Sequence, residues 1–153
     1  MKTSAGILLY RISREAAEVF LVHPGGPFWK NKDIGAWSIP KGEFGLGEES
    51  LETAKREFQE ETGQVIEGYF IPLEPITQKG GKTVYAWAVE GDIDAATIVS
   101  NYITIAWPPG TGKVMEIPEV DRGEWFDLET ALTKINPAQA NFIKQLAMLM
   151  DKA

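Results

Sequence analysis

The sequence contains no cysteine and only one histidine, and these absences exclude several kinds of site. Without cysteine there is no disulfide framework, no thiol nucleophile and no zinc site built on thiolates. A metal site with several histidine ligands is also excluded, and a Ser/His/Asp triad would have to use His23. A single histidine at the end of a predicted strand is far more often an ordinary polar residue, so we do not expect a triad.

Long apolar runs and excess positive charge are also missing. The N-terminal apolar run at residues 5–10 is too short for a signal peptide, and no stretch approaches a membrane span, so we expect a cytoplasmic protein without a membrane partner. With 15 basic and 22 acidic residues, the net charge of −7 argues against duplex nucleic acid as a partner. A phosphorylated substrate is still compatible, because bound divalent cations reverse the local charge.

The length of 153 residues and the apolar share of 44% fit one globular domain, which we expect to span residues 1–153. Apolar stretches bounded by glycine, proline and polar turns predict more strands than helices. The predicted strands cover residues 5–12, 19–23, 69–76, 83–89, 102–107 and 123–126.

The clearest helix is predicted at residues 48–62. Leu51, Ala54 and Phe58 recur at spacings of three and four, which places them on one apolar stripe. Gly63 is placed to end this helix in the left-handed conformation, which glycine adopts without steric cost.

Two further helices are predicted near the C-terminus. Asp127 is a helix cap for residues up to 133, and Asn136-Pro137 opens a helix that runs to about residue 150. The apolar stripe of that last helix contains Phe142, Leu146 and Leu149. A mixed sheet with helices on both faces follows, so the predicted fold is α+β, with three layers in an α/β/α sandwich.

Carboxylates concentrate in the second half of the first helix. Glu57, Glu60 and Glu61 occupy positions i, i+3 and i+4 and therefore share one helical face. Their repulsion would be offset by a hard divalent cation such as Mg²⁺ or Mn²⁺, which prefers oxygen ligands. Lys55 and Arg56 could offset part of it instead, and most glutamate-rich helix faces are simply solvated.

The loop in front of this helix favours the metal interpretation. Lys41-Gly42-Glu43-Phe44-Gly45-Leu46-Gly47 contains three glycines, which allow backbone amides and carbonyls to approach a phosphate–metal complex. Residues 42–64 resemble the Nudix box, Gx5Ex7REUxEExGU, where U is a bulky apolar residue. One position departs from the box, because Gln64 occupies the last apolar place; we expect a local packing adjustment there.

The resemblance to the Nudix family implies a metal-dependent hydrolase that cleaves a pyrophosphate linkage in a nucleoside diphosphate derivative, on a Nudix fold with Mg²⁺ or Mn²⁺ as cofactor. It makes Glu57, Glu60 and Glu61 metal ligands, joined by the backbone carbonyl of Lys41. Glu57 is the leading candidate for the base that activates water, although family members differ on which carboxylate does this.

The resemblance assigns further roles around the box. Glu48 and Arg56 are similar in position to an internal salt bridge that holds the loop against the helix. Glu119, in a predicted loop before the last strand, is favoured as an additional catalytic carboxylate, with Glu116 second; a plain exposed glutamate is the alternative for both. The predicted catalytic residues are Glu57, Glu60 and Glu119.

The segment before the box bears on the substrate. Trp37-Ser38-Ile39-Pro40-Lys41-Gly42 resembles the WxxPKG lead-in of Nudix hydrolases that cleave diadenosine tetraphosphate. Two other family markers are missing, because Gly81 replaces the tyrosine typical of those enzymes and Lys79 replaces the proline typical of ADP-ribose hydrolases. Dinucleoside polyphosphates are therefore expected first and nucleoside triphosphates second. A non-catalytic nucleotide-binding module is the remaining alternative, although no box carboxylate is lost.

Three residues are predicted to contact the substrate: Lys41, Phe44 and Trp107. Lys41 adds a cation that could hold a phosphate beyond the cleaved bond. Trp29 and Trp107 both lie beside glycine- and proline-rich loops, where one of them could stack on a nucleobase. Packing in the core is the alternative for either tryptophan.

Overall fold

The computed structural model of this chain describes residues 2–151. It opens with a long antiparallel hairpin of β1 (Thr3–Ser13) and β2 (Ala16–Pro24). The two residues between these strands, Arg14 and Glu15, have φ of 52° and 66°. Positive φ at both positions matches the twist of a two-residue hairpin turn, so the predicted polar turn is confirmed.

The other elements follow in chain order. The strands are β3 (Lys41–Phe44), β4 (Ile71–Pro72), β5 (Ile76–Gln78), β6 (Lys82–Glu90), β7 (Tyr102–Ala106), β8 (Val114–Pro118) and β9 (Val120–Asp127). The helices are α1 (Ser50–Thr62), α2 (Leu128–Lys134) and α3 (Ala140–Asp151), with short 3₁₀ turns at Ala95–Thr97 and Pro137–Gln139. Among the described helices, none has the length and apolar character needed to cross a membrane.

Strand β1 is the centre of a mixed seven-stranded sheet. It runs parallel to β6, and it pairs antiparallel with β3 over residues 3–6 and with β2 over residues 10–13. Strand β9 continues the sheet beyond β2, and β4 and β5 pair with β6. Strands β7 and β8 form a separate two-stranded hairpin.

Alternation along β1 sends side chains to two apolar layers. Ile7 packs in the layer that contains Phe58 of α1, whereas Leu8 packs in the layer that contains Phe142 of α3. All four of these side chains are buried, as the period of two along a strand requires when both faces are covered. The predicted α/β/α sandwich is therefore confirmed.

Several predicted boundaries were wrong for local reasons. Helix α1 begins at Ser50, because Glu49 is extended, but it ends as predicted with Gly63 at φ 75°. The strand predicted at residues 69–76 is divided into β4 and β5, where Pro72 and Pro75 offer no amide donors. In α3 the buried face contains Phe142, Ile143 and Leu146, whereas Leu149 is 37% exposed.

Candidate active site

Glycine at position 42 allows α1 and β3 to meet at the site. Strand β3 is held on β1, and the amide of Ile7 donates a hydrogen bond to the carbonyl of Pro40 at 3.1 Å. A Cβ atom at Gly42 would overlap the carboxylate of Glu57. The carboxylate of Glu57 therefore lies directly against the backbone of β3, in space that any other residue at position 42 would occupy.

Three carboxylates converge here. Glu57, Glu61 and Glu119 each offer an oxygen, and these oxygens lie within 4.8 Å of one another. Glu61 is 4% exposed, and the side chain of Glu57 is 15% exposed. Glu60 occupies the same helical face but is not part of this group, and Glu116 is exposed on β8.

Burial and mutual repulsion make these carboxylates unusually basic. Burial raises the pKa of Glu57 to about 7, and the charges of Glu60 and Glu119 add to the effect. The pKa of Glu61 is raised well above its ordinary value, mainly by burial and then by Glu119 and Glu57. Lys41 opposes this shift through its charge and a backbone hydrogen bond to Glu61.

The group fits a hard divalent cation. Its donors are carboxylate oxygens, which Mg²⁺ and Mn²⁺ prefer, and their spacing lets one ion reach all three. Two of the carboxylates are largely removed from water, so a bound cation would relieve the cost of their shared negative charge.

Glu119 is held from two sides by main-chain hydrogen bonds. Its amide donates to the carbonyl of Asn101 at 2.9 Å, and its carbonyl accepts from the amide of Gly25 at 3.0 Å. The amide of Asn101 in turn donates to the carbonyl of Glu60 at 2.8 Å, which links this segment to α1. Asn101 is thus a positioning residue that sequence reasoning missed, because main-chain bonds between distant segments leave no motif.

The setting of Glu119 corrects a sequence expectation. The loop predicted before the last strand is instead strand β8, and Glu119 is the single residue between β8 and β9. Residues 114–118 pair with β7, a partner that is distant in sequence and could not be identified from the local pattern. This short connection fixes the position of Glu119 more firmly than a mobile loop would.

Arg56 lies between two carboxylates. Its Nη2 is 3.5 Å from Glu48 Oε2 and 3.6 Å from Glu57 Oε2. Glu48 also accepts a hydrogen bond from the amide of Gly45 at 3.1 Å, so it contacts the loop and the helix together. Both Arg56 and Glu48 are about half exposed, and exposed ion pairs of this kind contribute little stability.

Lys41 lines a cavity of about 230 Å³ together with Glu61 and Glu119, which we call the carboxylate pocket. Burial lowers the pKa of Lys41, and the charge of Glu61 acts against that shift. Gln78 lines the same pocket, and its Oε1 is the one buried side-chain polar atom within residues 2–151 that has no hydrogen-bond partner. An unpaired acceptor of this kind suits a ligand that donates a hydrogen bond.

The structure separates the other two predicted substrate contacts. Phe44 packs edge-on against Tyr85, with ring centroids 6.0 Å apart, in a depression on the far side of the glycine-rich loop. Trp107 instead lines a cavity that Glu119 and Trp29 also line. Lys41 and Phe44 are three residues apart on one strand, so their side chains point to opposite faces of the sheet.

His23 is buried and part of a structural network. Its Nδ1 lies 2.9 Å from Asp121 Oδ1, and its Nε2 lies 2.6 Å from the carbonyl oxygen of Lys32. Both ring nitrogens are therefore used, and the ring packs edge-on against Trp37. The residue ties the loop after β2 to β9, in line with the expectation that no triad runs through it.

The raised pKa values predict a pH dependence of stability without metal. Folded Glu57 holds its proton up to about pH 7, whereas an ordinary glutamate releases it near 4.5, so the folded state binds more protons in between. The free energy of unfolding should therefore fall as pH rises from 5 to 7.5, by about 1–3 kcal/mol. Urea unfolding in EDTA measures this change.

The matched variants for that measurement are Glu57→Gln and Glu52→Gln. Glu57→Gln should flatten the pH dependence, whereas Glu52→Gln, an exposed change in the first turn of α1, should leave it intact. Equal pH dependence in the wild-type protein and in Glu57→Gln would show that the Glu57 carboxyl has an ordinary pKa.

Comparison with known proteins agrees with this arrangement. The family model for the NUDIX domain matches residues 2–146. A protein of Rattus norvegicus, bis(5'-nucleosyl)-tetraphosphatase [asymmetrical], is 45% identical over 60 residues, which cover 35% of this chain and 41% of the rat protein. The match therefore spans about two fifths of the length of that curated relative.

Solved structures extend the likeness to the whole chain. A Caenorhabditis elegans Ap4A hydrolase, in a binary complex, has a TM-score of 0.66 and 21% identity, with 100% of both chains covered. The NUDIX domain of Shewanella oneidensis NrtR, complexed with ADP ribose, has a TM-score of 0.66 and 16% identity over 97% of this chain and 87% of that one. At these identities the likeness establishes the fold.

Proposed function

This chain belongs to the Nudix family, and on that basis we propose that it hydrolyses a pyrophosphate linkage in a dinucleoside polyphosphate such as diadenosine tetraphosphate. The observation that carries the proposal is the buried group of Glu57, Glu61 and Glu119 beside the cation of Lys41. A single pocket thus offers oxygen ligands for a metal and a positive charge for a phosphate.

Nudix hydrolases use divalent metal ions, and the residues present suit one. We assign Glu57, Glu60 and Glu61 as ligands of Mg²⁺ or Mn²⁺, with the backbone carbonyl of Lys41 as an additional donor. The bound ion would lower the pKa of a water molecule and neutralise phosphate charge. Glu119 adds a fourth carboxylate, which its hydrogen bonds to Gly25 and Asn101 hold beside the others.

Proton transfer is assigned to Glu57. Its carboxylate takes the proton of the attacking water, and its location in a poorly solvated site favours accepting a proton. Arg56 bridges Glu57 and Glu48 and so keeps the carboxylate turned toward the pocket. No covalent nucleophile is required, which agrees with a chain that has no cysteine.

Two aromatic surfaces support a substrate with two bases. One contains Trp29 and Trp107 and adjoins the carboxylate pocket through Glu119. The other contains Phe44 and Tyr85 and lies at the opposite end of β3 from Lys41, about 10 Å along the strand. A dinucleoside polyphosphate has a base at each end of its phosphate chain and suits this division.

A substrate panel tests the proposal. Catalytic efficiency should be higher on diadenosine tetraphosphate than on ADP-ribose or nucleoside triphosphates, and it should depend on Mg²⁺ or Mn²⁺. Lys41→Ala should reduce efficiency on the tetraphosphate by about 10-fold or more, because a charge-assisted contact to phosphate is lost, and should affect shorter substrates less.

Lys79→Ala is the matched control, because Lys79 is exposed in the turn after β5. Equal or better use of a nucleoside triphosphate would replace the substrate with that class. A uniform loss across all substrates in Lys41→Ala would show that Lys41 holds the loop and does not select the substrate. Binding of nucleotides without turnover would favour a non-catalytic module.

A further inference from the structure

A second cavity of about 360 Å³ lies beside the carboxylate pocket, between the loop that follows β2 and the β7–β8 hairpin. We call it the aromatic cleft. Its walls contain Phe28 and Trp29 on the loop side and Trp107 and Pro109 on the hairpin side. The Nudix box contributes no residue to it, so the motif that identified the family says nothing about its role.

Two glycines bring the loop onto the hairpin. A Cβ atom at Gly25 would collide with the carbonyl oxygen of Pro118. Gly26 has a φ of +92°, and a Cβ there would lie 2.6 Å from Ile117 Cδ1. The backbone at 25–26 therefore lies directly on strand β8, and this close approach places Phe28 and Trp29 opposite the hairpin.

The hairpin presents its apolar face to the cleft. Ile103 pairs with Ile117 across the two strands, and Ile105 pairs with Met115, so all four side chains share one face. The other face contains the pairs Tyr102–Pro118 and Thr104–Glu116. Ile103, Ile105 and Ile117 line the cleft, which identifies the apolar face as its floor.

The cleft exposes large apolar side chains to solvent in this structure. Phe28 is 53% exposed and Ile103 is 37% exposed, although both lie at the edge of a cavity. Lys32 Nζ lies 3.7 Å from the centroid of the Phe28 ring, and the ring of Trp29 packs edge-on against it. Phe28 is therefore held in place while much of its surface is left without a protein partner, as in a ligand site.

The cleft and the carboxylate pocket are continuous. Pro24, Trp29 and Glu119 line both cavities. Glu119 is the one ionisable residue among those that line the cleft, and it lies where the two cavities meet. The cleft therefore suits an uncharged, planar, apolar group that is joined to charged groups in the carboxylate pocket, and it does not suit a phosphate.

We propose that the aromatic cleft binds one nucleobase of the substrate, between the loop aromatics Phe28 and Trp29 and the hairpin residue Trp107. This inference rests on the proposed function for the identity of the substrate. Bases stack on aromatic side chains whatever their sequence, so the cleft would favour nucleotides over base-free phosphates without strong selection of one base. Trp107 is then a substrate-binding residue and not a part of the core.

Binding in EDTA tests the cleft apart from catalysis. By calorimetry, adenosine monophosphate should bind the wild-type protein more tightly than ribose 5-phosphate does. Trp107→Ala and Phe28→Ala should each weaken binding of adenosine monophosphate by about 10-fold, the scale of one lost stacking contact. Trp107→Phe should retain most of the affinity because it keeps an aromatic surface.

Tyr102→Ala is the matched control, because Tyr102 is an aromatic residue on the same hairpin, 68% exposed and on the opposite face. It should bind adenosine monophosphate as the wild-type protein does. In turnover of diadenosine tetraphosphate, Trp107→Ala should raise KM by about 10-fold and change kcat less than threefold, since stacking contributes equally before and during the reaction.

Different results separate this inference from the proposed function. Binding of adenosine monophosphate that depends on Trp107 in a protein that hydrolyses no nucleotide would support the cleft and overturn the hydrolase proposal. Turnover of dinucleotides with unchanged KM and unchanged nucleotide affinity in Phe28→Ala and Trp107→Ala would overturn the cleft alone. Equal loss of ribose 5-phosphate binding in these variants would also overturn it, since the effect would then not involve a base.

Discussion

Glu61→Gln is expected to abolish most turnover while the fold is retained. Glu61 is the most deeply buried of the three converging carboxylates, so an amide there removes a charged oxygen ligand from the centre of the site. Even partners that only support metal ligands cost 10–100-fold when removed, so we expect a loss in kcat/KM of about 100-fold or more. Titration with Mg²⁺ and Mn²⁺ should show weaker metal dependence of the remaining activity.

The stability of the same variant should change in the opposite direction. Burial makes the charged form of Glu61 costly, and its pKa is raised well above the ordinary value. The neutral amide removes this cost, so metal-free Glu61→Gln should melt at a higher temperature than the wild-type protein at pH 7.5. Lost activity combined with higher metal-free stability would distinguish removal of a ligand from damage to the fold.

Two other glutamates of α1 provide the comparison. Glu60→Gln should also weaken metal binding if the box assignment holds, and the size of its effect relative to Glu61→Gln would show how far Glu60 takes part. Glu52→Gln, exposed in the first turn, should keep full activity. Near-normal turnover by Glu61→Gln at limiting Mg²⁺ would refute the ligand assignment for Glu61.

Most of the fold could be predicted because local patterns determine it. The stripe of Leu51, Ala54 and Phe58 and the cap at Gly63 predicted α1 to within two residues at its start and correctly at its end. Strand β3 was missed because its four residues, with exposed or partly buried side chains, carry no alternating pattern of their own. They form a strand because β1 offers an open edge at residues 3–6.

The candidate site could be predicted only where a contiguous motif covers it. The box gave Glu57 and Glu61 through helical spacing, and a general expectation of one more acidic residue gave Glu119. The supports of Glu119 were not predictable, because Gly25 and Asn101 hold it through main-chain bonds that any residue type could make. The aromatic cleft was missed for the same reason, since its two walls come from segments about 80 residues apart in the sequence.

Gly42→Ala is expected to disable the site although it adds only one methyl group. The φ of Gly42 is outside the left-handed region, so the backbone accepts alanine, and the space taken by the Glu57 carboxylate decides the outcome. That carboxylate must turn away or β3 must shift. A misplacement of about 1 Å at a reacting group can cost 100-fold, so we expect a loss of about that size in kcat/KM.

Gly45→Ala is a matched control in the same loop. Gly45 also has a φ outside the left-handed region, and a Cβ there meets no atom within 4 Å. Activity and metal affinity of Gly45→Ala should therefore stay within about twofold of the wild-type values, because a surface change away from special features costs little. If both alanine variants lose activity equally, flexibility of the loop and not the space beside Glu57 is what the glycines provide.

A double-mutant cycle then identifies the contact through which Gly42 acts. Glu57→Ala removes the carboxylate that the new methyl group would displace, so adding Gly42→Ala to it should cause little further loss of metal binding. Calorimetric titration with Mn²⁺ of the two single variants and the double variant gives the coupling. Additive losses would mean that the methyl group disturbs β3 by another route, whereas strong coupling would show that glycine at position 42 is required by the carboxylate of Glu57.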